Sequence, residues 1–183
     1  GTPIFYESTG AGPTLVFCYG LTCRRDHWRH QIARFSDRYR IVTFDYRGHH
    51  ASGLPANDRH LTLDWCASDL EDLLEHLKID SAVALGHSMG VPVLVQAATR
   101  FPTRLKGLVL TCGSIINPFD HMFYTHRLNS LFRVTSTLFE LFPGPSEKVW
   151  RQFTRRNPIS YFLTSQFGFN PDTAEETDIT GYM

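Results

Sequence analysis

The chain has 183 residues, 42% hydrophobic and 20% charged, an ordinary globular balance with enough apolar material for a sizeable core. Eighteen basic and eighteen acidic side chains cancel, and no block of like charge or basic stripe breaks the balance. A surface built to hold nucleic acid or anionic lipid by its net field is therefore excluded. No apolar run is long enough to span a bilayer, and no basic flank followed by an apolar stretch opens the chain, so no signal peptide is expected there; the cysteine usage favours a reducing compartment, and the expected location is cytoplasmic.

The first two-thirds alternates strands and helices. Ile4 to Glu7 reads as a short strand, turning at Thr9-Gly10-Ala11-Gly12-Pro13. Leu15 to Tyr19 is a continuous apolar strand that stops at Gly20. His27 to Phe35 has helical spacing, with Trp28, Ile32 and Phe35 on one face, and Ile41 to Phe44 is the next strand, ending at Asp45. From Leu63 to Lys78, Cys66, Leu70, Leu73, Leu74 and Leu77 recur at three and four residues, the pattern of a helix with one buried face, and Thr62 is placed to cap it. Val83 to Leu85 is a strand, a helix follows as far as Phe101, and Leu108 to Leu110 is a further strand. Uniformly apolar strands separated by helices predict an α/β fold with a mostly parallel, wound sheet covered on both faces.

The texture changes after Ser114. Helical spacing runs from His121 to Phe142, Pro143-Gly144-Pro145 is expected to break it, Glu147 to Arg156 reads as a second helix and Ser160 to Phe167 as a third. Nine of the fourteen phenylalanines fall here, which marks the segment as an aromatic-rich helical insertion. The expected division is 1–114 for the α/β part and 115–183 for the helical part. The four cysteines, Cys18, Cys23, Cys66 and Cys112, have neither zinc nor redox-pair spacing. Cys18 and Cys112 lie in strand-like runs and are expected to be small buried hydrophobes.

Gly86-His87-Ser88-Met89-Gly90 carries the chemistry. It matches G-x-S-x-G, in which a serine sits on a tight strand-to-helix turn that lifts its Oγ above the sheet edge. The helix beginning there offers free N–H groups and the positive end of its dipole to a developing oxyanion. An apolar strand before the motif and a helical pattern after it make Ser88 the expected nucleophile.

With those residues in place, the chain resembles the α/β-hydrolase superfamily, in its cap-bearing esterase-like branch. Leu15 to Gly20 resembles the strand that ends in a His-Gly oxyanion turn, Asp45-Tyr46-Arg47-Gly48-His49 with Ser52 resembles the D-x-R-G-x loop, and Gly86 to Gly90 resembles the nucleophile elbow. The likeness covers residues 1–114, with 115–183 standing for the cap. It implies backbone N–H donors at Leu21 and Met89 for the oxyanion, and substrate-pocket candidates at Tyr19, Met122, Phe123 and His126. Tyr19 replaces the family's usual His, which leaves the support of the Leu21 loop to be explained.

The family's triad runs in the order Ser, acid, His, with the last two after later core strands. No strand is legible after Leu110, so the resemblance implies that the acid and the His come from beyond this chain, on a second polypeptide or on a remainder of the hydrolase core. The open edge of the Leu108–Leu110 strand then predicts that the chain needs that partner for stability. Internal alternatives are Asp120 for the acid and His121 or His126 for the base. His87 is expected to pack beside the nucleophile, His49 and His50 to pack in their loop, and Asp45 and Arg47 to hold that loop by a polar network.

The expected reaction is acyl transfer from a carboxylic ester to water through an acyl-enzyme at Ser88, without cofactor or metal. The phenylalanine- and leucine-rich cap points to a lipophilic acyl substrate. Carbon–carbon bond hydrolysis, perhydrolysis, and a binding or sensing role with little turnover share the same motifs.

Overall fold

The computed structural model describes residues 1–21, 23–116, 127–154, 157–168, 174, 176 and 179. Its internal contacts divide the chain into two compact units, Gly1–Ile115 and Ile116–Met183.

The first unit is a five-stranded sheet with helices. Its strands are β1 (Tyr6–Thr9), β2 (Thr14–Cys18), β3 (Arg40–Phe44), β4 (Ala82–His87) and β5 (Leu105–Thr111), lying in the order β1-β3-β2-β4-β5. The β1/β3 pair is antiparallel; β3/β2, β2/β4 and β4/β5 are parallel. The helices are α1 (Arg29–Phe35, entered by a 3-10 turn over Arg25–Trp28), α2 (Leu63–His76) and α3 (Gly90–Arg100). In β2, which pairs on both sides, Val16, Phe17 and Cys18 are completely buried, as expected where helices cover a parallel sheet. The Phe17 ring lies 5.0 Å from that of Trp28, which ties the α1 side to the sheet.

The α2 helix begins where expected, with the Thr62 side chain accepting the Trp65 N–H at 3.4 Å. Cys66, Leu70, Leu73 and Leu74 are buried along one face, and Asp69 is buried among them. This face and α3 pack together. At the other side of the sheet from β1, β5 pairs with β4 alone among the described residues, and Val109 and Leu110 are 47% and 44% exposed. Cys112, just past this edge strand, is exposed rather than buried. Apolar neighbours in sequence did not bury it because, among the described residues, the strand pairs on one side only.

The second unit holds α4 (Arg127–Leu141), α5 (Pro143–Thr154) and α6 (Pro158–Gly168). The expected break at Pro143-Gly144-Pro145 is a single residue wide, and the prolines form the first turn of α5. Proline is tolerated there because first-turn N–H groups have no intrahelical acceptor. The α6 helix also starts on a proline, with the Asn157 side chain accepting the N–H groups of Ile159 and Ser160 at 3.0 and 2.9 Å. The Phe139 and Trp150 rings meet at 6.3 Å between α4 and α5. The start of the expected first helix, 121–126, lies outside the described residues, and with it Met122, Phe123 and His126.

Burial pushes the Cys18 thiol up from 9.0 to about 12. The folded state therefore holds its proton more tightly than the unfolded chain does. The resulting stabilisation is fully present below pH 9 and is lost as pH rises from about 9 to about 12. Urea titrations across that range should show a steeper alkaline loss in the wild type than in Cys18→Ala, the difference approaching one proton.

Candidate functional site

The site is built where β2, β4 and β5 end side by side. Ser88 follows β4 directly and has φ +53°, a left-handed conformation that costs a non-glycine residue about 1–2 kcal/mol. Two backbone hydrogen bonds hold it there. The Ser88 N–H donates to Thr111 O at 3.1 Å, and Ser88 O accepts the Val91 N–H at 3.0 Å as α3 begins.

The small residues of the motif are required by space. A Cβ on Gly90 would lie 2.2 Å from Cys18 O in β2, and one on Gly86 would lie 2.9 Å from both Gly90 O and Leu94 Cδ1. The helix start is thus pressed against two strands at once. Gly20 abuts the nucleophile candidate itself, since a Cβ there would lie 2.9 Å from Ser88 Cβ and 3.3 Å from its Oγ. Ser88 is half-buried.

Leu21 follows Gly20 and is 56% exposed, while Met89 immediately precedes the first residue of α3. N–H groups at a helix start have no intrahelical acceptor. The two residues line one open groove of roughly 650 Å³ together with Gly48, His49, Leu61 and Leu63. The candidate oxyanion donors and the loop after β3 therefore border the same space.

Tyr19 has a different place from the one its sequence position suggested. It is 1% exposed, and its hydroxyl donates to Asp45 Oδ1. The Tyr46 hydroxyl donates to Tyr19 O at 3.0 Å, and the two rings meet edge-on at 5.1 Å. Tyr19 is a strut beneath the Gly20–Leu21 turn, not a wall of a pocket. Burial, then the hydrogen bond to Asp45, pushes its phenol far above the usual tyrosine range, so it remains a neutral donor.

Asp45 organises the rest of its loop. Its Oδ2 accepts the Ala51 N–H at 3.0 Å, and its backbone carbonyl accepts the Ser52 hydroxyl at 2.7 Å. Gly48, at φ +72°, makes the turn, and His50 Nε2 donates to Cys23 O at 2.8 Å. His49 Nδ1 donates to Arg47 O at 3.1 Å. These two histidines pack the loop, as expected.

Arg47 points the other way, into α2. Its Nε and Nη2 donate to the two Asp69 oxygens at 2.7 and 2.5 Å, with both side chains buried. The Trp65 ring covers the guanidinium at 4.7 Å. The sequence reading missed Asp69, although its position three residues after Cys66 and four before Leu73 places an acid on the apolar face of α2. Such an acid needs a buried cation, and Arg47 supplies it.

His87 closes β4. Burial, then the nearby His27, lowers its pKa below the ordinary histidine value. Asp120 and His121, the internal alternatives for acid and base, lie outside the described residues. Among the described residues no cluster of His, Cys, Asp and Glu could hold a metal ion, and no helix is long and apolar enough to cross a membrane.

The profile described as alpha/beta hydrolase fold matches residues 13–157. An epoxide hydrolase of Caballeronia sordidicola is 37% identical over 59% of this chain and 33% of its own length. The 3-oxoadipate enol-lactonase 2 of Acinetobacter baylyi is 35% identical over 54% of this chain and 36% of its own length. The crystal structure of Bacillus megaterium epoxide hydrolase superposes on all of this chain and 63% of its own, with a TM-score of 0.74 at 23% identity, a likeness of fold. The chain spans about a third of the length of the curated relatives it matches.

Two substitutions test the supports. Tyr19→Phe leaves a buried Asp45 oxygen without its donor and should cost about 1–3 kcal/mol in urea unfolding. Asp69→Ala strands a buried guanidinium and should cost about 3–5 kcal/mol, most of it recovered in Arg47→Met/Asp69→Leu.

Proposed function

The chain belongs to the alpha/beta hydrolase fold family, and from that premise we propose that it hydrolyses a carboxylic ester, a lactone included, through an acyl-enzyme at Ser88. The single observation that carries this reading is the elbow. Residue 88 is a serine held at φ +53°, at a helix start and against the Gly20 turn.

In the proposed reaction Ser88 Oγ attacks the acyl carbonyl carbon while a histidine removes its proton. The N–H groups of Leu21 and Met89 receive the negative charge that develops on the carbonyl oxygen. One such donor is worth about 2.7–4 kcal/mol of barrier. The tetrahedral intermediate collapses, the C–O bond to the alcohol breaks, and the histidine returns the proton to the leaving oxygen. Water then repeats the sequence on the acyl-enzyme, releasing the acid and free Ser88. The histidine and its carboxylate are assigned to further core strands, on a second chain or on a remainder of the protein. The relatives' greater length and the exposed apolar edge of β5 support that assignment.

Similarity to epoxide hydrolases favours an epoxide as the competing substrate class. The chemistry of residue 88 argues against it. A carboxylate that opens an epoxide forms an ester that water can cleave, whereas a serine hydroxyl would form an ether that it cannot. The enol-lactonase resemblance fits an ester-type substrate better. A lipophilic acyl group is supported by the composition of the second unit, which holds nine of the fourteen phenylalanines.

A fluorophosphonate probe should label Ser88, and a p-nitrophenyl ester series should be hydrolysed with a preference for longer acyl chains. Ser88→Ala should abolish labelling and lower kcat by roughly a million-fold. An unlabelled wild type, or turnover of styrene oxide undiminished in Ser88→Ala, would contradict the proposal.

A further inference from the structure

The elbow motif specifies a strand, a serine and a helix, yet the contacts around Ser88 include a third party that the motif does not contain. The segment Thr111-Cys112-Gly113, where β5 ends, touches the elbow from the side opposite β2. Thr111 O accepts the Ser88 N–H at 3.1 Å, and Thr111 Oγ1 donates to Gly86 O at 3.1 Å. Cys112 then takes φ +50°, the same left-handed conformation as Ser88 one strand away. Through that turn Gly113 comes in beneath the serine. A Cβ on Gly113 would lie 2.5 Å from Ser88 O and 2.4 Å from Val91 Cβ and Cγ2. Real Cβ atoms do not make such contacts, and two of the obstacles are backbone and Cβ atoms that cannot swing aside.

We propose that Gly113 is a positioning residue for the nucleophile: the end of β5 clamps residue 88 in its left-handed conformation, and the absent side chain at 113 is what lets the clamp close. This deepens the serine-hydrolase reading and rests on it. Both amide groups that flank the Ser88 side chain are engaged, one by Thr111 and the other by Val91 with Gly113 packed against its carbonyl. A methyl at 113 must rotate the Ser88 carbonyl or push β5 away, and the second movement lengthens the Ser88–Thr111 hydrogen bond. Either one moves Oγ relative to the Gly20 turn. Displacements well below 1 Å matter there, because about 1 Å of misplacement costs roughly 100-fold in rate.

The test compares wild type and Gly113→Ala in the protein carrying its complete hydrolase core. The rate of fluorophosphonate labelling and kcat for a p-nitrophenyl ester should both fall by about 10–100-fold, with KM within about threefold of wild type and an unchanged far-ultraviolet circular dichroism spectrum. A folded Gly113→Ala that labels at the wild-type rate overturns the proposal, as does a variant that raises KM while leaving kcat intact. Amide hydrogen exchange on the wild type gives a second, independent readout. The Ser88 N–H should be protected to the level of the β4 interior, and exchange at loop rates overturns the clamp. This readout decides the matter if Gly113→Ala does not fold. It also separates the two readings: a wild type that takes no label sinks the serine-hydrolase proposal, and protection at Ser88 still tests the clamp.

Discussion

One backbone conformation organises this molecule. Residue 88 must be left-handed, and a serine there carries about 1–2 kcal/mol of strain. Two backbone hydrogen bonds, each worth about 0.5–1.5 kcal/mol net, offset it. They act only because β2, β4, β5 and the start of α3 converge within hydrogen-bonding distance. That convergence explains the glycines on either side of the serine. Gly86 and Gly90 lie where backbone presses against backbone, and any side chain would separate the strand from the helix.

The loops beside the elbow solve a different problem, that of holding an exposed turn still. Tyr19 stands where the family resemblance leads one to expect a histidine, before the Gly20–Leu21 turn, and its contacts show how that turn is held. The phenol reaches down to Asp45 and the carbonyl accepts from Tyr46, so the turn is fixed from below by neutral donors on a carboxylate and a carbonyl. The next loop is fixed from its far side by the buried Arg47–Asp69 pair under Trp65. A buried ion pair adds little net stability compared with apolar side chains of the same shape. Here it joins the loop after β3 to α2, and Arg47 also lines the groove beside Leu21 and Met89.

Much of this was legible in the sequence. The strand-helix alternation, the apolar face of α2, its Thr62 cap and the strand–Ser88–helix order follow from local periodicity and turn chemistry, which one stretch of chain displays by itself. What escaped was long-range. Asp69 meets Arg47 across 22 residues, Thr111 meets Ser88 across 23, and the depth of Tyr19 depends on Asp45 and Tyr46 just after β3. Such pairings depend on sheet order, which periodicity does not encode. Cys112 was misjudged for the same reason, since an apolar strand has no local mark that it will lie at an edge. The prolines at the start of α5 were misread because proline both stops and starts helices. Met122, Phe123 and His126 remain expectations from sequence, outside the described residues.

Everything here turns on residue 88 being a strained serine whose oxygen faces the turn at Gly20 and Leu21. A crystal structure of the protein after reaction with a phosphonate ester tests it most directly. Continuous density from Ser88 Oγ to phosphorus is expected, with φ at residue 88 still positive and a phosphoryl oxygen against the N–H groups of Leu21 and Met89. A serine in a relaxed turn with negative φ, or an adduct on any other residue, would contradict it.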